Sequence, residues 1–121
     1  MKILLTGGFG FIGSAVLRQA VAASRHEIVT VDKMTYAASE EALAAARHSP
    51  CHVLLKQDIC DVAAMRAAFA AHRPDAVMHL AAESHVDRSI DGPGTFVLLE
   101  ASRAYFATLV PLSWHLPLRR L

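Results

Sequence analysis

Glycines near the start of the chain have the spacing of a turn that can hold a phosphate group. Gly8, Gly10 and Gly13 form G-x-G-x-x-G, and Gly7, Gly10 and Gly13 form G-x-x-G-x-x-G. A helix that follows such a turn attracts anions, because its first N–H groups lack internal partners and its dipole is positive there. Glycine also lets a pyrophosphate approach the backbone closely. A glycine turn with a purely structural role is the alternative.

An acidic residue at the end of the next apolar run favours a dinucleotide as the ligand. Asp32 follows Glu27 to Val31, at the distance of about 20 residues at which an acid binds the adenosine ribose. Its carboxylate accepts hydrogen bonds from the ribose hydroxyls and repels a 2′-phosphate. The pattern therefore predicts NAD rather than NADP, although Lys33 beside Asp32 weakens the distinction.

Short apolar runs alternate with helix-compatible segments along most of the chain, which predicts an α/β fold. We expect a Rossmann-like, doubly wound parallel sheet, truncated to about four strands in the order 3-2-1-4. The predicted strands are 2–6, 27–31, 52–56 and 76–80, and the predicted helices are 11–24, 40–47, 62–72 and 94–106. Ser39 and Asp61 are the predicted caps of the second and third helices.

Two loops should meet the glycine turn at one edge of this sheet, because ligands of open α/β sheets bind at the carboxyl ends of the strands. Asp58 and Ile59 follow the third predicted strand. Ala81 and Ala82 follow the fourth, and their small side chains let a flat ring or a sugar approach the backbone.

Composition and charge narrow the class of protein. The 121 residues are 54% hydrophobic with a net charge of +1, which fits one globular domain and excludes disorder. The only basic run is Arg119-Arg120, so nucleic acid is not an expected partner, and no apolar stretch is long enough to span a membrane.

Cys51 and Cys60 predict reduced thiols in a cytoplasmic protein. We expect the domain to cover residues 1–107 and an irregular, proline-containing tail to cover 108–121.

One polar segment carries a more specific resemblance. The string HLAAESHVDRSI at 79–90, together with DKMTYA at 32–37 and the opening TGGFGFIG at 6–13, resembles the dTDP-glucose 4,6-dehydratases. These belong to the extended short-chain dehydrogenases/reductases, the NAD-dependent epimerase/dehydratase family. The resemblance covers roughly residues 1–107, and the string after the fourth strand distinguishes it from sister sugar-nucleotide epimerases.

The resemblance implies NAD as the cofactor and a set of residues that hold it. Those residues are Gly7, Gly10, Phe11, Ile12 and Gly13 at the pyrophosphate, Asp32, Lys33, Met34 and Thr35 at the adenosine ribose, Asp58 and Ile59 at the adenine, and Leu80, Ala81, Ala82, Glu83 and Ser84 towards the nicotinamide. Ser84 is also implied to reach the sugar substrate.

The resemblance further implies a reaction on dTDP-glucose. The family oxidises the glucosyl C4 by hydride transfer to NAD, eliminates water across C5 and C6, and returns the hydride to C6. The full-length family is expected to be homodimeric. No metal is expected, because His79, Glu83 and His85 lack the spacing of a metal motif and His79 is predicted to be a core residue.

Catalytic residues of the family are absent from this sequence. Its Tyr-x-x-x-Lys motif is missing, since Tyr36 and Tyr105 are followed four residues later by Glu40 and Leu109. No Asp-Glu pair occurs either. We expect the chain to keep the NAD-binding half of a dehydratase and to be inactive alone. A truncated gene remnant, or a simple nucleotide-binding module, is the alternative.

Overall fold

The chain folds as strands and helices that alternate, as its apolar pattern predicts. The computed structural model describes residues 1–35, 38–81 and 94–109. The strands are β1 (Lys2–Thr6), β2 (Glu27–Asp32), β3 (His52–Lys56) and β4 (Ala76–His79), and the helices are α1 (Phe11–Ala23), α2 (Glu40–Arg47), α3 (Val62–His72) and α4 (Gly94–Leu109).

The four strands form one parallel sheet in the order β3-β2-β1-β4, which confirms the predicted topology. Lys2 pairs with Glu27 of β2, and Ile3 pairs with Ala76 of β4. Because the strands run in the same direction, their carboxyl ends and the loops that follow them share one edge of the sheet.

Each face of the sheet buries its own hydrophobic core, because successive side chains of a strand point to opposite faces. Leu4 belongs to a core shared with Met65 and Phe69 of α3 and Leu98 of α4. Its neighbour Leu5 belongs to the other core, which includes residues of α1 and α2 such as Leu17 and Ala42. The sheet is therefore doubly wound.

Helix ends agree with the predicted caps but differ from the predicted bounds at two ends. The Ser39 hydroxyl accepts from the Ala42 N–H at 3.3 Å, and the Asp61 carboxylate accepts from the Ala64 N–H at 3.0 Å. α1 ends at Ala23, one residue early, because Ser24 adopts a left-handed conformation with φ of 50°. α4 runs to Leu109 rather than Phe106, so two residues predicted in the tail are helical.

The strand bounds also shift by one residue at two ends. β2 includes Asp32, and β4 ends at His79 rather than Leu80. Residues 110–121 lie outside the part that the structure describes. Among the described helices, none has the length and hydropathy that a membrane crossing requires. Cys51 is half-buried and Cys60 is exposed, and neither is in a disulfide.

Candidate functional site

The glycine turn joins β1 to α1 at the carboxyl edge of the sheet. Gly7 has a φ of +70°, a conformation that glycine adopts without steric cost. Its N–H donates to the Val31 carbonyl oxygen at 3.0 Å, and its own carbonyl accepts from the Gly10 N–H at 3.1 Å. The turn is thus fastened to the neighbouring strand and folded back on itself before the helix begins.

Two of the glycines are required because a Cβ there would collide with the backbone of the chain itself. A Cβ at Gly13 would lie 1.9 Å from the Gly7 oxygen, and a Cβ at Gly7 would lie 2.6 Å from the Ala81 nitrogen. The start of α1 and the residues after β4 are therefore both in close contact with the backbone of the turn. No side chain fits at either position without displacing main-chain atoms.

Gly10 differs, because nothing in the described chain requires glycine there. Its φ of −75° is an ordinary conformation for any residue. A Cβ at Gly10 would meet only the Gly7 oxygen, at 3.4 Å. The missing side chain therefore keeps open the space in front of the first turn of α1.

That end of α1 is also uncapped and exposed. Gly10 provides no side-chain cap, and no acid stands in the first turn, whereas α2 and α3 begin with the caps Ser39 and Asp61. Phe11 and Ile12, which supply the first amides of the helix, are 97% and 66% exposed. The free N–H groups and the positive dipole at this end of α1 can therefore bind an anionic group of a ligand.

Asp32 stands beside the turn and already holds two backbone groups. One carboxylate oxygen accepts from the Phe9 N–H at 3.0 Å, and the other accepts from the Met34 N–H at 2.8 Å. A carboxylate offers about four acceptor positions, so both oxygens keep capacity for ribose hydroxyls. The side chain thus positions the glycine turn as well, a role that the sequence pattern did not indicate.

The loop after Asp32 is held in an unusual backbone conformation. Met34 has a φ of +57°, which costs a residue with a side chain about 1–2 kcal/mol. Its side chain is half-buried against the core on the α1 and α2 face, while Lys33 and Thr35 are exposed. The contact of the Met34 side chain with this core and the hydrogen bond from its N–H to Asp32 stabilise this turn. The turn leaves Lys33 and Thr35 exposed at the same edge of the sheet.

The loop after β3 reaches the same edge. The Gln57 N–H donates to the Asp32 carbonyl oxygen at 3.2 Å, so the residue before Asp58 is bonded to the end of β2. Asp58 is exposed and accepts from the Cys60 N–H at 2.9 Å. That hydrogen bond chiefly lowers the pKa of the Asp58 carboxyl, with a smaller contribution from the charge of Lys33. Ile59 is half-buried against the other core.

Two residues that sequence reasoning did not assign to the site link the end of β4 to β1. The buried Thr6 hydroxyl lies 2.7 Å from His79 Nδ1 and accepts from the Ala81 N–H at 3.3 Å. A hydroxyl has one donor proton and two acceptor lone pairs, so beside the bond from Ala81 it can donate to Nδ1 or accept from it, according to the His79 tautomer. Burial lowers the pKa of His79, which favours the neutral imidazole.

The predicted site residues that the structure describes lie at one edge of the sheet, but some predicted site residues fall outside the described part of the chain. Asp32 is the last residue of β2, and the other described candidates follow the carboxyl ends of strands: the glycine turn, Lys33 to Thr35, Asp58, Ile59, Leu80 and Ala81. Ala82, Glu83 and Ser84 lie outside the described residues, as do Tyr36 and Ala37.

A separate depression, lined by charged side chains that include Lys2, Arg25 and Asp75, lies at the opposite edge and contains none of the candidates. No group of three potential metal ligands occurs among the described residues.

Sequence comparisons place the chain in a family. A model of the GDP-mannose 4,6 dehydratase family matches residues 4–107. The chain is 55% identical over 118 residues to dTDP-glucose 4,6-dehydratase 1 of Escherichia coli strain K12, a match that covers 90% of this chain and 33% of that protein. It is 52% identical over 114 residues to the dTDP-glucose 4,6-dehydratase of Neisseria meningitidis, covering 87% and 32%.

Solved structures agree with this placement. The dTDP-glucose 4,6-dehydratase of Bacillus anthracis in complex with NAD superposes with a TM-score of 0.77 at 27% identity, over 87% of this chain and 34% of that one. The dTDP-glucose 4,6-dehydratase of Streptomyces venezuelae, with NAD bound, gives 0.74 at 35% identity, over 88% and 37%. The UDP-glucose 4-epimerase of Thermotoga maritima gives 0.69 at 34% identity, over 87% and 35%.

All of these matches cover only part of the relative's own length. The chain spans about a third of the curated relatives and solved structures that it matches. The chain therefore belongs to the family that the GDP-mannose 4,6 dehydratase model describes, and it matches the N-terminal part of the dTDP-glucose 4,6-dehydratases.

Proposed function

We propose that this chain is the NAD-binding part of a dTDP-glucose 4,6-dehydratase and that it binds the cofactor without completing the reaction alone. The observation that carries the proposal is the open amino end of α1. Its first turn is uncapped, while Gly10 leaves space for a ligand in front of it. Asp32 stands beside this space with acceptor capacity to spare.

The proposed contacts follow the order of the loops along the edge. The pyrophosphate lies in front of the glycine turn, on the backbone amides of Phe11, Ile12 and Gly13. Asp32 accepts from the adenosine ribose, within the loop formed by Lys33, Met34 and Thr35. The adenine lies at Asp58 and Ile59, and the nicotinamide extends towards Leu80 and Ala81. Ala82, Glu83 and Ser84 continue that path, with Ser84 reaching the sugar.

The chain's own residues account for binding and orientation but not for proton transfer. Bound NAD supplies a hydride acceptor for the sugar. Oxidation of a hydroxyl also needs a base for its proton, and elimination of water needs an acid and a base. The sequence holds neither the Tyr-x-x-x-Lys motif nor the Asp-Glu pair that the resemblance implies for these roles. We therefore assign the chemistry to parts of the dehydratase that this chain does not contain.

Three related assignments remain predictions of the same proposal. Residues 1–107 form the cofactor domain, and 108–121 form a tail beyond it. We expect the full-length members of the family to be homodimers, and this expectation does not extend to the assembly state of the present chain. A cytoplasmic location is expected from the sequence pattern.

A turnover assay tests the catalytic half of the proposal. The full chain is incubated with dTDP-glucose and NAD, and the 4-keto-6-deoxy product is measured beside the Escherichia coli relative as a positive control. We expect no product from the chain and normal turnover from the control. Product formed by the chain at a measurable rate would contradict the assignment of the chemistry to absent residues.

A further inference from the structure

The depression at the amino edge of the sheet is large enough for a small ligand. Its volume is about 430 Å³, within the roughly 300–1,000 Å³ that is usual for small-molecule sites. Its charged and titratable lining residues are Lys2, Arg25, His26, Glu27, Arg73 and Asp75. None of them belongs to the candidate cofactor site, so the proposed function leaves this depression without a role.

Two arginines reach the depression from loops that begin on opposite faces of the sheet. Arg25 follows α1, and Arg73 follows α3, which packs on the other face. Both loops begin with a left-handed residue, because Ser24 and Arg73 have φ values of 50° and 49°. The two loops lead into β2 and β4, which flank β1, so the amino end of β1 lies between them.

Backbone hydrogen bonds fix the positions from which these side chains extend. The Glu27 N–H donates to the Met1 carbonyl oxygen at 3.1 Å, and the Asp75 N–H donates to the Lys2 carbonyl oxygen at 2.8 Å. The Lys2 N–H in turn donates to the Asp75 carboxylate at 2.7 Å. Both arginine-bearing loops are therefore fastened to the amino end of β1.

The acidic side chains of the depression are already engaged, whereas its arginines are not. Glu27 forms an ion pair with Lys2 Nζ at 3.1 Å, and one oxygen of Asp75 holds the Lys2 N–H. Arg25 and Arg73 are exposed, and neither forms an ion pair with a carboxylate in the described part of the chain. Three cationic side chains face two acidic ones, so the depression carries a net positive charge.

A cation that follows a helix also stabilises the negative end of the helix dipole. That effect accounts for one positive charge after α1 and one after α3, but it does not require the two to line the same depression. A phosphate group does, because its oxygens can accept hydrogen bonds from two guanidinium groups at once.

We propose that the depression at the amino edge binds the phosphate group of a small molecule, with Arg25 and Arg73 donating to its oxygens from two sides. The proposal goes beyond the proposed function, because the candidate cofactor residues lie at the opposite edge of the sheet. Its failure would therefore leave the NAD proposal standing.

Titration of the full chain with inorganic phosphate, followed by NMR of the backbone amides and the arginine Nε–H groups, tests the site. We expect saturable shifts at Arg25 and Arg73. Chloride at the same ionic strength should not reproduce them, because screening alone does not distinguish the two anions. The amides of Phe11 and Ile12 report phosphate at the glycine turn in the same spectra. Any result without saturable, phosphate-specific shifts at both arginines would overturn the proposal.

Substitutions separate a built site from a response to net charge. Arg25→Gln and Arg73→Gln should each weaken phosphate binding about tenfold, because each removes charge-assisted hydrogen bonds. Arg66→Gln is the matched control, since Arg66 is exposed on α3 and does not line the depression. It should leave the affinity unchanged.

Arg25→Lys keeps the positive charge but loses the planar pair of donors, so it should lose less affinity than Arg25→Gln. The amide spectrum of each variant shows whether it is folded. Wild-type affinity in a folded Arg25→Gln or Arg73→Gln chain, or equal weakening by Arg66→Gln, would overturn the proposal.

Discussion

At the residue scale, the glycines of the turn have different reasons to be glycine. Gly7 and Gly13 are fixed by contacts within the chain, at 2.6 Å and 1.9 Å from a hypothetical Cβ. Gly10 has an ordinary φ and a nearest contact of 3.4 Å, so the fold alone leaves it unexplained. The proposed pyrophosphate would explain it, because a Cβ would occupy space that the phosphates need.

This difference predicts opposite effects of two alanine substitutions. Gly10→Ala should change the free energy of unfolding by less than about 1 kcal/mol and weaken NAD binding at least tenfold, which is about 1.4 kcal/mol. Gly13→Ala should lose cooperative unfolding, because its Cβ overlaps the backbone of Gly7. Urea denaturation and NAD titration measure the two effects. Wild-type NAD affinity in a folded Gly10→Ala chain would remove the ligand-based reason for this glycine.

The sequence predicted which residues flank the cofactor edge, but not how they hold one another. The distance of Asp32 from the glycines predicts a ribose acceptor, whereas its bonds to Phe9 and Met34 depend on the turn folding back over β2. Thr6 and His79 lie 73 positions apart and meet only once β1 and β4 are neighbours. No short-range pattern contains such a contact.

At the element scale, histidines join neighbouring strands across the sheet. His79 of β4 contacts Thr6 of β1, and His52 Nε2 of β3 lies 2.9 Å from the Thr30 hydroxyl of β2. Burial lowers the pKa of both imidazoles, so both favour the neutral form in the folded chain. A second proton on either ring makes both ring nitrogens donors, so neither nitrogen could then accept a hydrogen bond from the threonine hydroxyl.

These shifts predict that stability falls as the pH falls below the ordinary histidine pKa of about 6.5. The folded chain binds protons at these sites less readily than the unfolded chain, so the free energy of unfolding rises with pH between the folded and unfolded pKa values. The loss therefore begins near neutrality and levels off below the lowered values. Urea unfolding from pH 8 to 5 measures it, with His79→Gln expected to flatten part of the curve. A variant slope equal to the wild-type slope would assign the effect to other groups.

The elements themselves were largely predictable. Apolar runs of about five residues, separated by helical periodicity, predicted every described strand and helix within three residues at each end. The end of α4 was wrong because the apolar spacing weakens after Phe106, while the Thr108 hydroxyl bonds to the Tyr105 carbonyl and continues the helical turn. Strand order followed from crossover handedness rather than from any local pattern.

At the scale of the whole molecule, the chain is a parallel sheet with a hydrophobic core on each face. The candidate cofactor residues, which include the glycine turn and Asp32, lie at the carboxyl ends of its strands. It spans about a third of its relatives, and the proton-transfer residues implied by the resemblance are not in its sequence. We therefore propose that this chain accounts for cofactor binding and not for catalysis.

A calorimetric titration of the full chain with NAD, and in parallel with NADP, tests this account most directly. We expect one saturable site for NAD and binding of NADP at least tenfold weaker, because the Asp32 carboxylate accepts ribose hydroxyls and repels a 2′-phosphate. A folded chain that binds neither dinucleotide at millimolar concentration would contradict the account and leave the glycine turn from Gly7 to Gly13 as a structural feature only.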